Sequence, residues 1–320
     1  MKIAFIATVL NEEKNIELLL NSLLKQKKRP DEVIIVDGGS KDNTVKIIKD
    51  WILKIRSEEF KKKIKLIIKT GNRSVGRNEA IKKATSEIIV SSDAGCILDK
   101  NWIKNIVQPF KNADIDVVAG FYRGIPQSIF EKSLIPYILV MPDKVRSESF
   151  LPSARSMAFR KHIWNKVGGF PLLSSNNEDF VFARKLRRFG AKIAFKKNAI
   201  VYYMPDKNVI NVFLMFLKFA KGDAESGIFR PKAALIFVRY GILIWLLIYA
   251  YFFKLFFILE IILYILILYI VWAIWKNYRY VKDREAILFL PLIQLISDVA
   301  IIYGSTVGFV EGIWDIKKKL

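Results

Sequence analysis

The sequence IAFIATVLNE at residues 3–12 decides the fold. Its first five residues form an unbroken apolar run, which is typical of a strand buried on both faces of a parallel sheet. The run VIIV at residues 33–36 repeats this pattern just before Asp37, and IIVS at residues 88–91 repeats it shortly before Asp93. Amphipathic stretches of helical period separate these strands. Alternation of strand and helix at this spacing predicts a doubly wound, Rossmann-like α/β sheet.

Polar and flexible residues follow these strands at their carboxyl ends. Thr8, Asp37 and Asp93 all fall at this edge of the predicted sheet, and Gly38 and Gly39 follow Asp37. Ligands of open α/β sheets bind beyond the carboxyl ends of the strands. Glycine lets the backbone come close to a ligand. The pattern therefore predicts a binding site at this edge.

The helices between the strands begin with polar residues. Asn11 is expected to cap the first helix, and Asp42 is expected to cap the second. Arg73 and Arg77 lie four residues apart at the start of a later helix, so they share one face. Further strands are predicted at Asp116–Ala119 and Ala199–Tyr203, and a further helix at Asp179–Phe189.

The composition limits the classes of site and partner. The 320 residues include 52 Lys and Arg against 30 Asp and Glu, which gives a formal net charge of +22. This charge indicates an anionic partner: a nucleic acid, a phosphorylated substrate or an acidic membrane face. A single cysteine, Cys96, excludes an internal disulfide. A single histidine, His162, leaves little room for a His-ligated metal or a Ser-His-Asp triad.

The carboxyl-terminal third is strongly apolar. Leu235–Phe253 and Leu255–Trp275 are each long enough to span a bilayer. Leu288–Tyr303 is a third apolar stretch, but it is interrupted by Asp298 and other polar residues. The loop Lys276–Arg284 and the Lys-rich tail are basic, and both are expected on the cytoplasmic side. Two spans with a re-entrant or interfacial third stretch satisfy this rule, whereas a third crossing would place the tail outside.

Four segments in order resemble those of family 2 glycosyltransferases of the GT-A fold. They are TVLNEE at residues 8–13, VDGGSKDNT at 36–44, GNRSVGRNEA at 71–80, and VGGF at 167–170 followed by NED at 177–179. The resemblance covers roughly the first 200 residues. It implies a membrane-bound, inverting enzyme of the hexosyltransferase class, which moves one sugar from a nucleotide-sugar donor to a hydroxyl of a lipid-linked or saccharide acceptor. Such an enzyme would serve synthesis of the cell envelope.

The resemblance also assigns roles to individual residues. Asp179 is implied as the general base, with Glu178 beside it in the catalytic pair. Arg155 and Ser156 are implied as acceptor or phosphate contacts. Arg73 and Arg77 could meet the phosphates or Asp93, or remain solvated, and the resemblance favours the site for Arg77. The residues implied in donor binding are Thr8, Asn11, Glu12, Asp37, Gly38, Gly39, Arg73, Arg77 and Asp93.

A divalent cation, Mg²⁺ or Mn²⁺, is implied at Asp93. Members of the family usually carry a D-x-D motif there, and its acids hold the cation that bridges the donor diphosphate. This chain has Gly95 where the second acid would stand. A lone carboxylate can still hold Mg²⁺ together with phosphate oxygens and water. The expected metal ligand from the chain is therefore Asp93 alone.

The expected organisation has four parts. A catalytic domain occupies residues 1–208, an amphipathic helix with a basic linker 209–234, two transmembrane helices 235–275, and a basic loop, third apolar stretch and Lys-rich tail 276–320. The expected location is the plasma membrane, with several passes and the catalytic domain in the cytoplasm. The expected partners are the nucleotide sugar, the acceptor and membrane lipids.

Two other functions remain open. One is a glycosyltransferase whose acceptor is a polyprenyl phosphate. The other is a membrane-tethered module that binds an anionic ligand without catalysis. Nucleic acid is not an expected partner, because the chain has no helix-turn-helix, RNP or zinc signature. A processive polysaccharide synthase is disfavoured, because the motif Q-x-x-R-W does not follow residues 178–179.

Overall fold

A computed structural model describes residues 1–172 and 177–317 of the chain, with the side chains of the last helix described as far as Glu311. The strands are β1 (Ile3–Val9), β2 (Glu32–Asp37), β3 (Ile64–Ile68), β4 (Ile88–Ser91), β5 (Cys96–Leu98), β6 (Val117–Gly124), β7 (Met157–Arg160) and β8 (Ile193–Tyr203). The helices are α1 (Ile16–Leu24), α2 (Thr44–Lys54), α3 (Glu58–Lys61), α4 (Arg73–Lys83), α5 (Trp102–Val107), α6 (Ile129–Ile138), α7 (Lys161–Lys166), α8 (Glu178–Arg188), α9 (Val209–Glu225), α10 (Pro231–Phe253), α11 (Phe257–Val281) and α12 (Ala286–Lys317).

The eight strands form one mixed sheet in the order β3-β2-β1-β4-β7-β6-β8-β5. The first four strands in this order run parallel, and Val9 of β1 pairs with Asp37 of β2 at their carboxyl ends. β7 runs antiparallel to both of its neighbours, β4 and β6. The α/β class is therefore confirmed, but the sheet is not wholly parallel. A short apolar strand buried on both faces has the same sequence pattern in either direction, so the pattern could not give the direction of β7.

Helices cover both faces of the sheet and enclose two apolar cores. Phe5 and Trp102 lie in one core, where their rings meet edge to face with centroids 6.2 Å apart. Phe170 and Phe182 lie in the other core and stack with centroids 4.0 Å apart. Cys96 is buried in the first core.

The chain divides into two compact units. The first unit comprises Met1–Ile125, Val140–Ser174 and Glu178–Met204 and contains the whole sheet. The second unit comprises Pro126–Leu139, Ser175–Asn177 and Pro205–Leu320. Its described helices are α6 and α9 to α12. The unit is thus assembled partly from α6, which the chain contributes from between β6 and β7.

Three helices of the second unit are long and apolar enough to cross a membrane: α10, α11 and Ala286–Glu311 of α12. α10 begins four residues before the predicted span Leu235–Phe253, and α11 ends six residues after the predicted Leu255–Trp275. The third helix is continuous through Gly304 and Gly308, although two glycines in an apolar stretch would by themselves suggest a break. Neither glycine has the left-handed backbone that ends a helix, and each lies where α9 leaves no room for a Cβ atom.

Candidate active site

The loop after β2 is held by Asp37, which is fully buried. Its Oδ1 accepts hydrogen bonds from the backbone N–H of Gly39 and of Ser40, each at 2.9 Å. The Ser40 hydroxyl donates to Oδ2 at 2.5 Å. Gly39 has a φ of 97°, which a residue with a side chain rarely adopts. Asp37 thereby fixes the turn at the carboxyl edge of the sheet, and its predicted contact with the donor stays a prediction.

The loop after β1 is fastened to the loop after β2. Asn11 has a φ of 54°, and its Oδ1 accepts a hydrogen bond from the backbone N–H of Lys41 at 2.9 Å. The backbone N–H of Glu12 donates to Thr44 Oγ1 at 2.7 Å. The expected cap at Asn11 is wrong, since α1 begins at Ile16. Asn11 is drawn away from that helix because its amide oxygen joins the two loops.

Asp42 lies one residue before the N-cap of α2, which is Asn43, but its carboxylate does bond the start of that helix. Its Oδ1 accepts a hydrogen bond from the backbone N–H of Thr44, the first residue of that helix, at 3.0 Å. Its Oδ2 accepts one from the backbone N–H of Glu13 at 3.1 Å. Asp42 therefore joins the two loops as well as satisfying the first turn of the helix.

Helix α4 lies tightly against the end of β1. Asn72 caps it, with Oδ1 accepting from the backbone N–H of Val75 at 3.1 Å. A Cβ atom added at Gly76 would lie 2.8 Å from Cγ2 of Thr8. Thr8 therefore packs against the helix, and any larger residue at position 76 would push α4 from the sheet. This close approach carries the next residue, Arg77, into the interior.

Arg77 is the centre of the site. Its side chain is only 3% exposed. Nη2 donates to Oδ1 of Asp93 at 2.8 Å, and Nη1 donates to Oε1 of Glu178. The guanidinium also lies over the ring of Phe170, with Cζ 5.5 Å from the centroid. One buried cation thus joins the loop after β4 to the start of α8.

Asp93 titrates differently from an isolated carboxylate because of the cations around it. Burial alone would raise the pKa of Asp93, but Arg77, Arg73 and Arg155 outweigh burial and hold that pKa below its ordinary value. Burial would lower the pKa of Arg77, but the charges of Asp93 and Glu178 raise it. Asp93 is therefore an anion at neutral pH, and Arg77 is a cation.

Glu12 lies close to the same charges. Its pKa is raised, chiefly because it is partly buried and additionally because Asp93 and Asp42 repel its charge. The Asn15 amide, which donates to Oε2 at 3.4 Å, and the charge of Arg73 act in the opposite direction. Arg73 itself is exposed. The structure therefore leaves Arg73 at the surface of this edge while Arg77 is enclosed.

Glu178 and Asp179 are neighbours in sequence but differ in environment. Glu178 is 4% exposed, and its carboxylate is held by Arg77. Asp179 is half-buried, and its Oδ2 accepts from the Ser153 hydroxyl at 3.0 Å and from the backbone N–H of Ala154 at 3.1 Å. Both partners of Oδ2 are neutral. Of the two acids, Glu178 is the one held by the Arg77 cation in the interior, and Asp179 is the one whose side chain is open to solvent.

Arg155 and Ser156 are neighbours in the segment before β7, but their side chains lie in different environments. The Arg155 guanidinium stacks over the ring of Tyr203, with Cζ 4.7 Å from its centroid, and lies 5.9 Å from that of Tyr122. Burial would lower the pKa of Arg155, but Tyr203 and Asp93 raise it. Ser156, by contrast, is 1% exposed and donates its hydroxyl to the Ala199 carbonyl at 3.1 Å. The structure brings Arg155 towards Asp93 and places Ser156 in the core.

Two supporting residues escaped the sequence-based predictions. Asn78 fixes the loop before α8, because its Oδ1 accepts from Trp164 Nε1 at 3.0 Å and from the Phe170 N–H at 2.9 Å. Its place beside Arg77 in the segment GNRSVGRNEA was the available signal. Ser153, which donates to Asp179, gave no such signal, because its partner lies 26 residues away in the sequence.

The oxygen ligands available to a metal are few. Within residues 1–172 and 177–311, no group of three or more His, Cys, Asp or Glu side chains could hold a metal ion. Asp93 is about one third exposed, and Arg77 occupies one of its oxygens. A Cβ atom added at Gly95 would have no neighbour within 4 Å, so the space beside Asp93 is open. The site fits a cation that takes one carboxylate from the chain and its other ligands from phosphate and water.

Known proteins resemble this chain in sequence. The model of the family described as Glycosyl transferase family 2 matches residues 4–173. The chain is 26% identical over 231 residues to the poly-beta-1,6-N-acetyl-D-glucosamine synthase of Staphylococcus epidermidis, across 70% of this chain and 55% of the synthase. It is 27% identical over 220 residues to the O-antigen chain rhamnosyltransferase RfbN of Salmonella typhimurium, across 63% of this chain and 66% of the rhamnosyltransferase. The chain thus spans less than two thirds of the length of either relative.

Solved structures share the fold. The mannosyltransferase PcManGT from Pyrobaculum calidifontis, solved in complex with GDP-Man and Mn²⁺, aligns with a TM-score of 0.57 and 20% identity. The alignment covers 70% of this chain and 62% of that one. Residues 1–349 of TarS from S. aureus, solved in complex with UDP-GlcNAc, align with a TM-score of 0.51 and 21% identity. This alignment covers 70% of this chain and 68% of that one. At these identities the likeness concerns the fold.

Proposed function

The chain belongs to glycosyl transferase family 2, and from this we propose that it is a membrane-bound, inverting glycosyltransferase. It transfers one sugar from a nucleotide-sugar donor to a hydroxyl of a lipid-linked or saccharide acceptor. The observation that carries the proposal is the buried Arg77, which joins Asp93 to Glu178 and so brings Asp179 to the carboxyl edge of the sheet. Structures with the same fold hold GDP-Man and UDP-GlcNAc, which supports a nucleotide sugar as the donor.

The donor binds at the loops after β1, β2 and β4. Its diphosphate carries negative charge, and the exposed Arg73 and the half-buried Arg155 supply positive charge near Asp93. Gly38 and Gly39 allow the nucleoside to approach the backbone. The predicted donor residues thus share one edge of the sheet, which is the arrangement that the proposal requires.

A divalent cation, Mg²⁺ or Mn²⁺, is part of the proposal. The Mn²⁺ in the complex of PcManGT supports it. Asp93 would hold the cation in this chain, with donor phosphates and water as its remaining ligands. When bound, the cation neutralises charge on the leaving diphosphate.

Asp179 acts as the general base. An acceptor hydroxyl attacks the anomeric carbon from the side opposite the diphosphate, and its proton passes to the Asp179 carboxylate. The bond from the anomeric carbon to the diphosphate oxygen breaks, the nucleoside diphosphate leaves with the electron pair, and the configuration inverts. Glu178 is less suited to this role, because Arg77 binds its carboxylate in the interior. Glu178 therefore positions the start of α8, and Asp179 takes the proton.

The test compares Asp179→Asn with the unchanged protein. The amide is similar in size and still accepts hydrogen bonds from Ser153 and Ala154, but it cannot take a proton. We expect turnover to fall by about 10²–10⁴-fold, the range of general-base catalysis, while the affinity for the nucleotide sugar is unchanged. Asp114→Asn is the matched control, because Asp114 is an exposed carboxylate paired with Lys192. A fall of less than about tenfold would contradict the base assignment and favour a polyprenyl-phosphate acceptor, which is already ionised.

The protein is proposed to reside in the plasma membrane with its first unit in the cytoplasm. Three helices are long and apolar enough to enter the bilayer. The basic residues between α11 and α12 and the Lys-rich tail support the orientation, since such residues prefer the cytoplasmic side. The catalytic domain is proposed to end near residue 208, which is close to the start of α9.

A further inference from the structure

Helices α9 and α12 lie side by side and run in the same direction. A Cβ atom added at Gly304 would lie 2.4 Å from the Leu217 carbonyl oxygen, and one added at Gly308 would lie 2.5 Å from that of Lys221. A step of four residues along α12 therefore matches a step of four along α9. Nearer the start of both helices, Ile293 packs in one cluster with Val212. The two helices are thus parallel neighbours over most of the length of α9.

The carboxyl end of this pair lies beside the start of α10. Lys221 Nζ of α9 pairs with Oε2 of Glu311 of α12 at 2.6 Å. Two residues further along α9, Asp223 pairs with Arg230, whose Nη2 lies 2.8 Å from Oδ1. Arg230 directly precedes α10, which begins at Pro231. The two ion pairs bring residue 311 of α12 close to the residue where α10 enters the membrane.

The amino end of α12 lies beside the end of α11. Val281, the last residue of α11, packs in one buried cluster with Ala286 and Leu290 of α12. Further along, the Lys276 ammonium of α11 donates to Oε1 of Gln294 at 3.0 Å. The first two turns of α12 therefore pack against the last residues of α11.

The middle of α12 meets both of the preceding helices at one residue. Asp298 is fully buried and pairs with Arg239 of α10. The hydroxyl of Tyr269, on α11, donates to Asp298 Oδ2 at 2.5 Å. α12 thus passes from the end of α11, across both helices, to the start of α10.

The two preceding helices determine on which face these ends lie. α10 has 23 residues and α11 has 25, so they are about 35 Å and 38 Å long, against a hydrocarbon core of about 30 Å. Only residues 254–256 join them. If both span, the start of α10 and the end of α11 lie on the same face of the bilayer. A helix with one end at each of these points begins and ends on one face.

We propose that α12 does not cross the bilayer but lies with α9 in the membrane interface, on the face from which α10 enters. The pair forms a platform whose partner is the boundary between lipid head groups and acyl chains. Its exposed apolar side chains fit this partner: Ile210 of α9 is 66% exposed, and Leu288 and Phe309 of α12 are 74% and 65% exposed. The exposed Lys218 of α9 is suited to lipid phosphates.

The test uses the full chain in its native membrane. In a Cys96→Ala background, single cysteines are introduced by Phe256→Cys, by Arg284→Cys, and by adding one residue after position 320. Phe256 lies in the turn between α10 and α11 and is 73% exposed, and Arg284 lies between α11 and α12 and is exposed. A membrane-impermeant maleimide is then applied to right-side-out and to inverted vesicles.

We expect the added cysteine to react from the same face as Arg284→Cys and from the face opposite to Phe256→Cys. That result fits two crossings and a platform in the interface. Reaction of the added cysteine from the same face as Phe256→Cys would overturn the proposal, because it requires a third crossing. Reaction from both faces would overturn it as well. The glycosyltransferase proposal stands or falls separately, since these measurements involve no donor or acceptor.

Discussion

At the scale of single residues, the first unit depends on one buried cation. Arg77 is enclosed between two carboxylates, and the three side chains belong to α4, to the loop after β4 and to α8. An intact buried ion cluster contributes little net stability, because removal of its charges from water costs about as much as their attraction returns. Removal of one member is different, because it leaves the others charged and without their partner.

Arg77→Met should therefore destabilise the first unit strongly. We expect a loss on the order of 3–5 kcal/mol, the range for a broken buried ion pair. The measurement is thermal unfolding of the detergent-solubilised protein. Arg73→Met is the matched control, because Arg73 lies one turn earlier on the same helix and is exposed. An equal loss in both variants would contradict the central role of Arg77.

Glu12 gives a dependence on pH with a defined sign. Burial raises its pKa above the ordinary value of 4.5, so the charged carboxylate is less favourable in the folded state than in the unfolded state. Its penalty to folding is absent below pH 4.5, grows as the pH rises from 4.5 to the folded-state pKa, and is constant above that pKa. Glu12→Gln should therefore raise the melting temperature at pH 7 but leave it unchanged near pH 4. A gain of equal size at both pH values would exclude burial of the charge as the cause.

At the scale of elements, the sequence predicts what depends on local pattern. The apolar runs give β1, β2 and β4, and their carboxyl ends give the positions of Thr8, Asp37 and Asp93. The sequence does not give contacts that form only when distant segments meet. The burial of Arg77 depends on the approach of α4 to β1 and on the carboxylate of Glu178, which lies 101 residues further along the chain. The motif indicated Arg77 as a site residue, but it could not tell whether the guanidinium is buried in ion pairs or exposed to solvent.

The continuity of α12 through its glycines also depends on a contact with a distant segment, so the sequence alone does not predict it. α9 is the predicted amphipathic helix, but the role of Gly304 and Gly308 is visible only from the helix that packs on them. In isolation, two glycines in an apolar stretch suggest a break. In the folded chain they are positions where α12 has no side chain and the backbone of α9 comes close. The residues that weaken a lone helix therefore permit this pair to form.

Gly304→Leu should separate α9 from α12. The side chain would meet the backbone of α9 rather than a flexible side chain, so the helices must move apart. Gly241→Leu is the matched control, because Gly241 lies on α10 with nothing within 4 Å of an added Cβ atom. We expect faster proteolysis near residues 226–230 and a lower melting temperature in the first variant alone. Equal behaviour of the two variants would contradict the close packing at Gly304.

At the scale of the whole molecule, the two units are interleaved along the chain. The first unit contains the sheet and the candidate active site. The second contains the apolar helices but also α6, which the chain inserts before β7. Tyr137 of α6 donates its hydroxyl to the Leu290 carbonyl of α12 at 2.9 Å. No single cut therefore separates the units with all of their helices intact.

The full chain should remain with membranes through washes in high salt and be released only by detergent, because α10 and α11 expose long apolar surfaces. A chain ending at Met204 should lose this behaviour and still bind the nucleotide sugar, since it retains the whole sheet. It should nevertheless self-associate, because α6 keeps buried Leu134 without α9 and α12 to cover it. Leu134→Lys in the shortened chain should restore a monomer, as measured by light scattering. Extraction of the full chain without detergent would refute the membrane assignment.

The insertion of α6 also has a consequence for synthesis on the ribosome. Tyr137 emerges 153 residues before its partner Leu290. At about 5–20 residues per second, translation of that interval takes roughly 8–30 s. During this time the nascent chain carries an apolar helix that has no helix to pack against, while the strands on either side of it are already available to pair. A chaperone or the bilayer surface must cover α6 in this interval, so the yield of folded protein should depend on the speed of translation between residues 138 and 290.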